Sequence, residues 1–322
     1  MHTLVVCQDG QCRTGLNPAD IKALLAVPEN VIWLDLTDPT DEEILILSEQ
    51  FGFHPLAIED AIRAHERPKV DLFGESYYFI IFYAARYDPG SAEIELQALS
   101  LFVGVNYLVS IHRGACKEVS TAMGLWQLPN GPLTNRLSRL LHALLDAVVD
   151  EYFPLMDQIG DEIEDLEDAI FAHFDDEAIQ TIFNLKKQLL RFRHVVGPER
   201  DVLNVLLRRE VPVFKAKDVM YLQDVYDHVV RVTDTVDTYR DLLSSALDSF
   251  LSLQSNKLNE IVKMLAIASI ILMADSLIAG FYGMNFRNMP ELDWGMGHMW
   301  ALLLMAVVSI GLFVYFRRRK WF

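Results

Sequence analysis

The chain has 322 residues, enough for two or three packed units, and its 45 acidic against 28 basic residues give a formal net charge of −17. That balance excludes a nucleic-acid partner, whose phosphate backbone demands a basic surface. Hydrophobic residues make up 52% and charged residues 23%, too much charge for a wholly embedded membrane protein. The two classes are segregated: residues 1–256 hold most of the charge, and 257–316 hold the only two long apolar runs.

The opening segment lacks a basic stretch followed by a continuous apolar run, so no secretory signal is expected and the N-terminal part is expected in the cytosol. Cys7, Cys12 and Cys116 are odd in number and lack metal-ligand spacing. Unpaired thiols in a reducing compartment are the expectation. Residues 1–132 read as a mixed α/β domain. Leu4–Cys7, Val31–Leu36, Tyr77–Tyr87, Glu93–Val103 and Tyr107–His112 are β-branched or aromatic runs bounded by turn residues. Helical patterns lie between them at Asp41–Phe51, opened by Asp38-Pro39-Thr40, and at Pro55–Ala64. Val103-Gly104-Val105-Asn106-Tyr107 predicts a hairpin turn.

From Leu133 the pattern is almost purely helical. Residues 133–214 predict an acidic helical hairpin: Thr134–Phe174 as one amphipathic helix, and a second from Glu177 to Arg209, bent near Gly197-Pro198. Pro212 marks a turn, and the next pattern runs from Lys217 to Gly280 without Gly or Pro. About 60 residues at 1.5 Å rise make a rod of roughly 90 Å. Its first part, 215–256, reads as a polar stalk and its last part, 257–282, as a first membrane span. Residues 283–298 form a loop, 299–316 a second uncharged span, and 317–322 a tail carrying Arg317, Arg318, Arg319 and Lys320. The intervening loop has only Arg287 against Glu291 and Asp293, so the positive-inside rule places both termini in the cytosol. The whole reads as an α+β protein of the cytoplasmic membrane.

Asp227, Asp234, Asp241 and Asp248 recur every seven residues and share one side of the long helix. Carried onward, that face meets Asn259, Val262, Ala266, Ser269, Met273, Ser276 and Gly280, with Leu265 beside it. Small and hydroxylated residues in a span serve either close helix packing or the wall of a wet pore. Mg²⁺ sheds water reluctantly, so a pore can select it through oxygen ligands that touch its hydration shell. Asn259, Ser276 and Asn285 offer such oxygens, and Asp248 could hold ions at the cytosolic end.

Directly after the first span stands Gly283-Met284-Asn285, followed by a short loop, the second span and a tail ending Lys320-Trp321-Phe322. This arrangement resembles the CorA family of magnesium/cobalt transporters, whose signature is Gly-Met-Asn at the outer mouth of the pore. His54-Pro55-Leu56-Ala57-Ile58-Glu59-Asp60, Arg67-Pro68-Lys69-Val70 and Asp224-Val225-Tyr226-Asp227-His228 are similar to family segments of the cytosolic domain. The resemblance implies a funnel-shaped homopentamer with an α/β/α cytosolic domain and a stalk that becomes the pore-lining helix. It implies that Asn285 rings the hydrated ion. It also implies that Asp60, with Asp224 of a neighbouring subunit, binds a regulatory Mg²⁺ that holds the pore closed. Mg²⁺ and Co²⁺ are the expected ions. The expected partners are further copies of the chain and the lipid bilayer, with no small organic substrate and no catalysis.

One departure stands out. Where the family usually has Met-Pro-Leu-Thr, this chain reads Met273-Ala274-Asp275-Ser276. An ionised Asp in mid-membrane costs about 2.5–3.5 kcal/mol, so Asp275 is expected neutral or partnered at a helix interface, with an effect on gating. A zinc or other divalent transporter of the same architecture, or a non-conducting membrane-anchored scaffold or sensor, stays open on these residues.

Overall fold

The computed structural model describes residues 1–63, 67–74, 76–88, 90, 93–128, 133, 136–172, 176–208, 219–284, 295–319 and 321. The chain divides into a unit over Met1–Ala246 and a unit over Leu247–Phe322.

The first unit is built on a seven-stranded sheet: β1 (His2–Gln8), β2 (Gln11–Thr14), β3 (Val31–Thr37), β4 (Lys69–Phe73), β5 (Tyr77–Asp88), β6 (Glu93–Val103) and β7 (Tyr107–His112). Their order is β2-β1-β3-β7-β6-β5-β4, with β3 and β7 parallel and the other neighbours antiparallel. Side chains of the inner strands alternate between two covered faces, so those strands read as largely apolar runs, whereas the edge strands β2 and β4 bury no residue fully. On one face Leu4, Val6, Ile32, Leu34, Phe79, Phe102 and Val109 pack with residues of α1 (Ile21–Leu25), α2 (Asp41–Glu49) and α3 (Pro55–Ile62). On the other, Trp33 meets Trp126 of α4 (Lys117–Trp126) with ring centroids 5.7 Å apart. The α/β/α layering agrees with the expected fold class. Asp38-Pro39-Thr40 opens α2 as its sequence suggests: Thr40 accepts the Glu43 N–H at 3.3 Å, and Glu43 accepts the Thr40 N–H at 3.1 Å.

The strand β2 was not anticipated, although Asp9 and Gly10, at φ 49° and 80°, make the two-residue turn that joins it to β1. This hairpin overturns the expectation of three free thiols. Its register sets Cys7 opposite Cys12 with Cα atoms 4.1 Å apart, and the pair forms a disulfide. Cys116 is free and buried, and burial pushes its thiol up to about 12. At the β6–β7 turn a Cβ on Gly104 would lie 2.2 Å from the Tyr107 ring, which packs against Phe51 and Phe53 at 5.1 and 5.9 Å. An added methyl there requires the ring to shift against these neighbours. Gly104→Ala is therefore expected to destabilise the unit by about 1–3 kcal/mol, read as a lower midpoint of thermal unfolding of the full chain in detergent.

The single helix expected over Thr134–Phe174 is two, α5 (Leu137–Asp150) and α6 (Tyr152–Ala172), with a turn at Glu151. Pro154 explains the break: it lacks an N–H, and its ring would crowd the carbonyl of Asp150 four residues back. Helix α7 (Asp176–Arg208) continues through Pro198. It carries two caps for strand backbone, Gln188 accepting the Ile94 N–H at 3.2 Å and Glu199 accepting the Tyr83 N–H at 2.9 Å. These residues are eleven apart, about three turns, and so share one face.

Glu199 and Tyr152 are both completely buried. The Tyr152 hydroxyl donates to the Tyr83 carbonyl and lies 3.1–3.2 Å from the Glu199 carboxyl oxygens. A phenol has one hydrogen, and the carbonyl can only accept it. A Glu199 oxygen facing the phenol therefore brings its own proton. Burial pushes the Glu199 carboxyl well above its ordinary range, which agrees with a neutral acid at neutral pH.

Helix α8 (Val219–Tyr282) is 64 residues long and runs through the predicted stalk and first span without interruption. In the second unit its last part is accompanied by α9 (Gly297–Arg318). Both helices contain windows long and apolar enough to cross a membrane, with mean hydropathy 2.1 and 2.3. The turn assigned to Pro212 lies outside the described residues.

Candidate functional site

In the first unit, α5 and α8 each carry titratable groups four residues apart, hence on one face. Asp146 and Asp150 come from α5, Asp224 and His228 from α8. One ligand atom from each of Asp146, Asp150 and His228 lies within 4.8 Å of the others. His228 Nδ1 is 3.7 Å from Asp150 Oδ1, beyond a hydrogen bond, and is itself shielded from solvent. Burial raises the Asp146 carboxyl above its ordinary value; His142 and His228 oppose this, while Asp150 and Asp224 add to it. Two carboxylates and an imidazole converging this closely can hold a divalent cation, which would relieve the repulsion among the acids. Sequence reasoning missed Asp146 and Asp150. The matching four-residue spacings in two amphipathic helices were the available signal, but nothing local says that those faces meet.

Asp60 sits in the last turn of α3, and its carboxylate accepts Lys69 Nζ at 2.7 Å; Lys69 also reaches Asp71 at 3.3 Å. Burial would lower the Lys69 pKa, but the bond to Asp60 and the charge of Asp71 raise it overall. Asp224 is exposed. Within one chain the partner of Asp60 is thus Lys69 and not Asp224.

In the second unit the span of α8 has one covered stripe, and the rest of its circumference is exposed, Leu272 and Leu277 included. Ile267 is buried, and Ile271, Ala274, Asp275 and Ile278 are half-buried. Asp248, Asn259, Val262, Leu265, Ser269, Met273, Ser276 and Gly280 are exposed, and Ala266 is half-buried at the border. A Cβ added at Gly280 would touch nothing within 4 Å. The face of small and hydroxylated residues is thus not consumed by packing within the chain. Asp275 is partnered, as its position in a span requires: the Ser309 hydroxyl of α9 lies 2.9 and 3.1 Å from its two carboxyl oxygens and donates its one hydrogen to that pair. The helix closes through the Gly283 N–H to the Ala279 carbonyl at 2.9 Å, with Met284 next and exposed. Asn285 lies outside the described residues, as do Arg287, Glu291, Asp293 and Lys320. Arg317 and Arg318 occupy the last turn of α9 and Arg319 caps it, where cations meet the negative end of the helix dipole.

A family described as "CorA-like Mg2+ transporter protein" matches residues 28–318. The chain belongs to the CorA family. It is 37% identical to the cobalt/magnesium transport protein CorA of Thermotoga maritima over 291 residues, covering 90% of this chain and 83% of that one. Its identity to the CorA of Methanocaldococcus jannaschii is 31% over 294 residues, covering 90% of this chain and 91% of that one. The fold superposes on the complete structure of the CorA magnesium transporter from Methanocaldococcus jannaschii with a TM-score of 0.83 at 26% identity, over 100% of this chain and 99% of the other. The match spans both units, so the CorA resemblance seen in Gly283-Met284 and the cytosolic segments holds for nearly the whole chain.

Proposed function

We propose that this chain is one subunit of a homopentameric channel that passes hydrated Mg²⁺, and Co²⁺ with it, across the cytoplasmic membrane. Both termini lie in the cytosol, and the chain catalyses no reaction. The observation that carries the reading is the exposed stripe of α8: Ser269, Met273, Ser276 and Gly280 stay uncovered while a different stripe is half-buried. One such helix from each subunit encloses a wet axis. Its oxygens touch the ion's water shell rather than the metal, which suits an ion that gives up water reluctantly. Asn285 follows the last described turn and supplies carboxamides at the outer entrance. Asp248 collects ions at the inner end. Neither Cys nor His stands on the exposed stripe, so the ligands zinc prefers are lacking there.

Cytosolic Mg²⁺ closes the channel by binding to the first unit. Asp60 and the neighbouring subunit's copy of Asp224 form the bridge between subunits, and the cluster of Asp146, Asp150 and His228 adds to it from within the chain, Asp146 feeling the charge of Asp224. Filling the site satisfies carboxylates that otherwise repel one another, and its loss as Mg²⁺ falls frees the subunits to move. The deciding test is uptake by the full-length protein in liposomes with Mg²⁺, Co²⁺ and Zn²⁺ offered separately. Mg²⁺ and Co²⁺ entry supports the channel. Selective Zn²⁺ entry, or none of the three, overturns it.

The gating site makes its own prediction. Mg²⁺ at one hundred times its dissociation constant stabilises a single-site protein by about 2.7 kcal/mol. Asp224→Ala and Asp146→Ala should each lose most of the Mg²⁺-induced rise in thermal midpoint. They should also keep conducting when Mg²⁺ is present on the cytosolic side. An unchanged midpoint shift in both variants would remove these carboxylates from the site.

A further inference from the structure

Two stripes of half-buried residues run along the spans of the second unit. On α9 they are Ala301, Leu304, Met305, Val308, Ser309 and Leu312, at the three- and four-residue spacing of one helix face. On α8 the corresponding stripe contains a single carboxyl group, Asp275, and Ser309 is its partner. The neighbour in sequence, Ser276, stands about 100° around the helix from Asp275, and it belongs to the exposed stripe. A bond that fixes the azimuth of Asp275 therefore fixes the azimuth of Ser276.

We propose that the Asp275–Ser309 hydrogen bond is a tether that sets the rotation of the α8 span against α9 and so aims its exposed oxygen-bearing face. Asp275 and Ser309 are positioning residues: they act on the ion path through the orientation of Ser276 and Gly280, without touching the ion. The inference rests on the channel reading. In hydrocarbon, no water replaces a broken interhelical bond, so the tether holds where an equivalent pair on a wet surface would exchange with solvent. It also accounts for an acid tolerated at this depth. The carboxyl group lies on the covered stripe with one hydroxyl donor within reach of both oxygens, instead of on the exposed one.

The test is a double-variant cycle on full-length protein in liposomes, with Mg²⁺ as the probe ion. Ser309→Ala and Asp275→Leu should each lower maximal flux at least about threefold, the size of a typical interhelical coupling. The half-saturating Mg²⁺ concentration and the preference between Mg²⁺ and Co²⁺ should stay unchanged. The double variant should be no worse than either single one. Ser309→Thr and Asp275→Asn keep a donor and an acceptor and should restore flux. Additive losses, a normal flux for Ser309→Ala, or a changed ion preference would overturn the tether, the last by placing Asp275 in the ion path. The same four proteins are also compared by thermal unfolding in detergent. Should the unsubstituted chain conduct no ion, the channel reading fails by itself. A non-additive stability cycle would then still report a helix–helix bond, and an additive one would remove that too.

Discussion

Asn285→Ala is expected to cut Mg²⁺ uptake by reconstituted protein by one to two orders of magnitude or more, without preventing assembly. A carboxamide oxygen accepts hydrogen bonds from water molecules polarised by the ion, and hydrogen bonds involving a charged group are worth about 1.5–3 kcal/mol each. One such contact corresponds to about tenfold to a hundredfold in occupancy of the entrance, and a ring of subunits repeats it around the axis. Alanine removes the oxygen and leaves the ion's shell facing an apolar methyl. Asn285→Gln keeps the amide on a longer arm and should retain part of the flux. Size-exclusion chromatography separates a lost entrance from a lost oligomer. Undiminished uptake by a correctly assembled Asn285→Ala protein would remove the entrance role from this residue.

The second large effect belongs to the buried pair in the first unit. Glu199→Ala should destabilise the chain by about 3 kcal/mol, since it leaves the Tyr83 N–H without the acceptor on α7 and opens a cavity beside Tyr152. Glu199→Gln should behave oppositely. Its amide oxygen can take the Tyr83 N–H and its NH₂ can donate to the Tyr152 oxygen, as the neutral acid does. The pH dependence has a definite sign. The native carboxyl binds its proton more tightly than the unfolded one, so between the ordinary carboxylate pKa and the raised native value the unfolded state holds fewer protons. Stability then falls as pH rises, by up to about 1.4 kcal/mol per pH unit. Stability from this group is greatest below the unfolded pKa and declines above it. The Gln variant should lack that slope and gain on the native chain most at alkaline pH. Parallel pH profiles of the thermal midpoint for the two proteins would show that Glu199 is ionised in the native state.

Much of the architecture was legible before any coordinates. The runs at Val31–Leu36, Tyr77–Tyr87, Glu93–Val103 and Tyr107–His112 became β3, β5, β6 and β7 because β-branched and aromatic residues bounded by turns are a local signal. Asp38-Pro39-Thr40 opened α2 for the same reason, and the structure adds the reciprocal bond with Glu43. The misses were also physical. Strand β4 is a short edge strand with a weak pattern, and the Asp9-Gly10 turn was passed over, so the Cys7–Cys12 bridge was lost with it. Pro154 was overlooked inside an otherwise continuous amphipathic run, and two helices were read as one.

The sequence alone determined the segregation of charge from apolar spans, the length of α8, the stripe from Asn259 to Gly280 and the exceptional character of Asp275. Each follows from periodicity, composition or hydrophobic length, which are properties of neighbouring residues. Only the tertiary structure decided that Asp275 meets Ser309, that Asp146 and Asp150 meet His228, and that Glu199 meets Tyr152. Such meetings depend on the rotation and register of helices joined through distant chain. Those are set by how whole faces pack, and no short window of residues contains them.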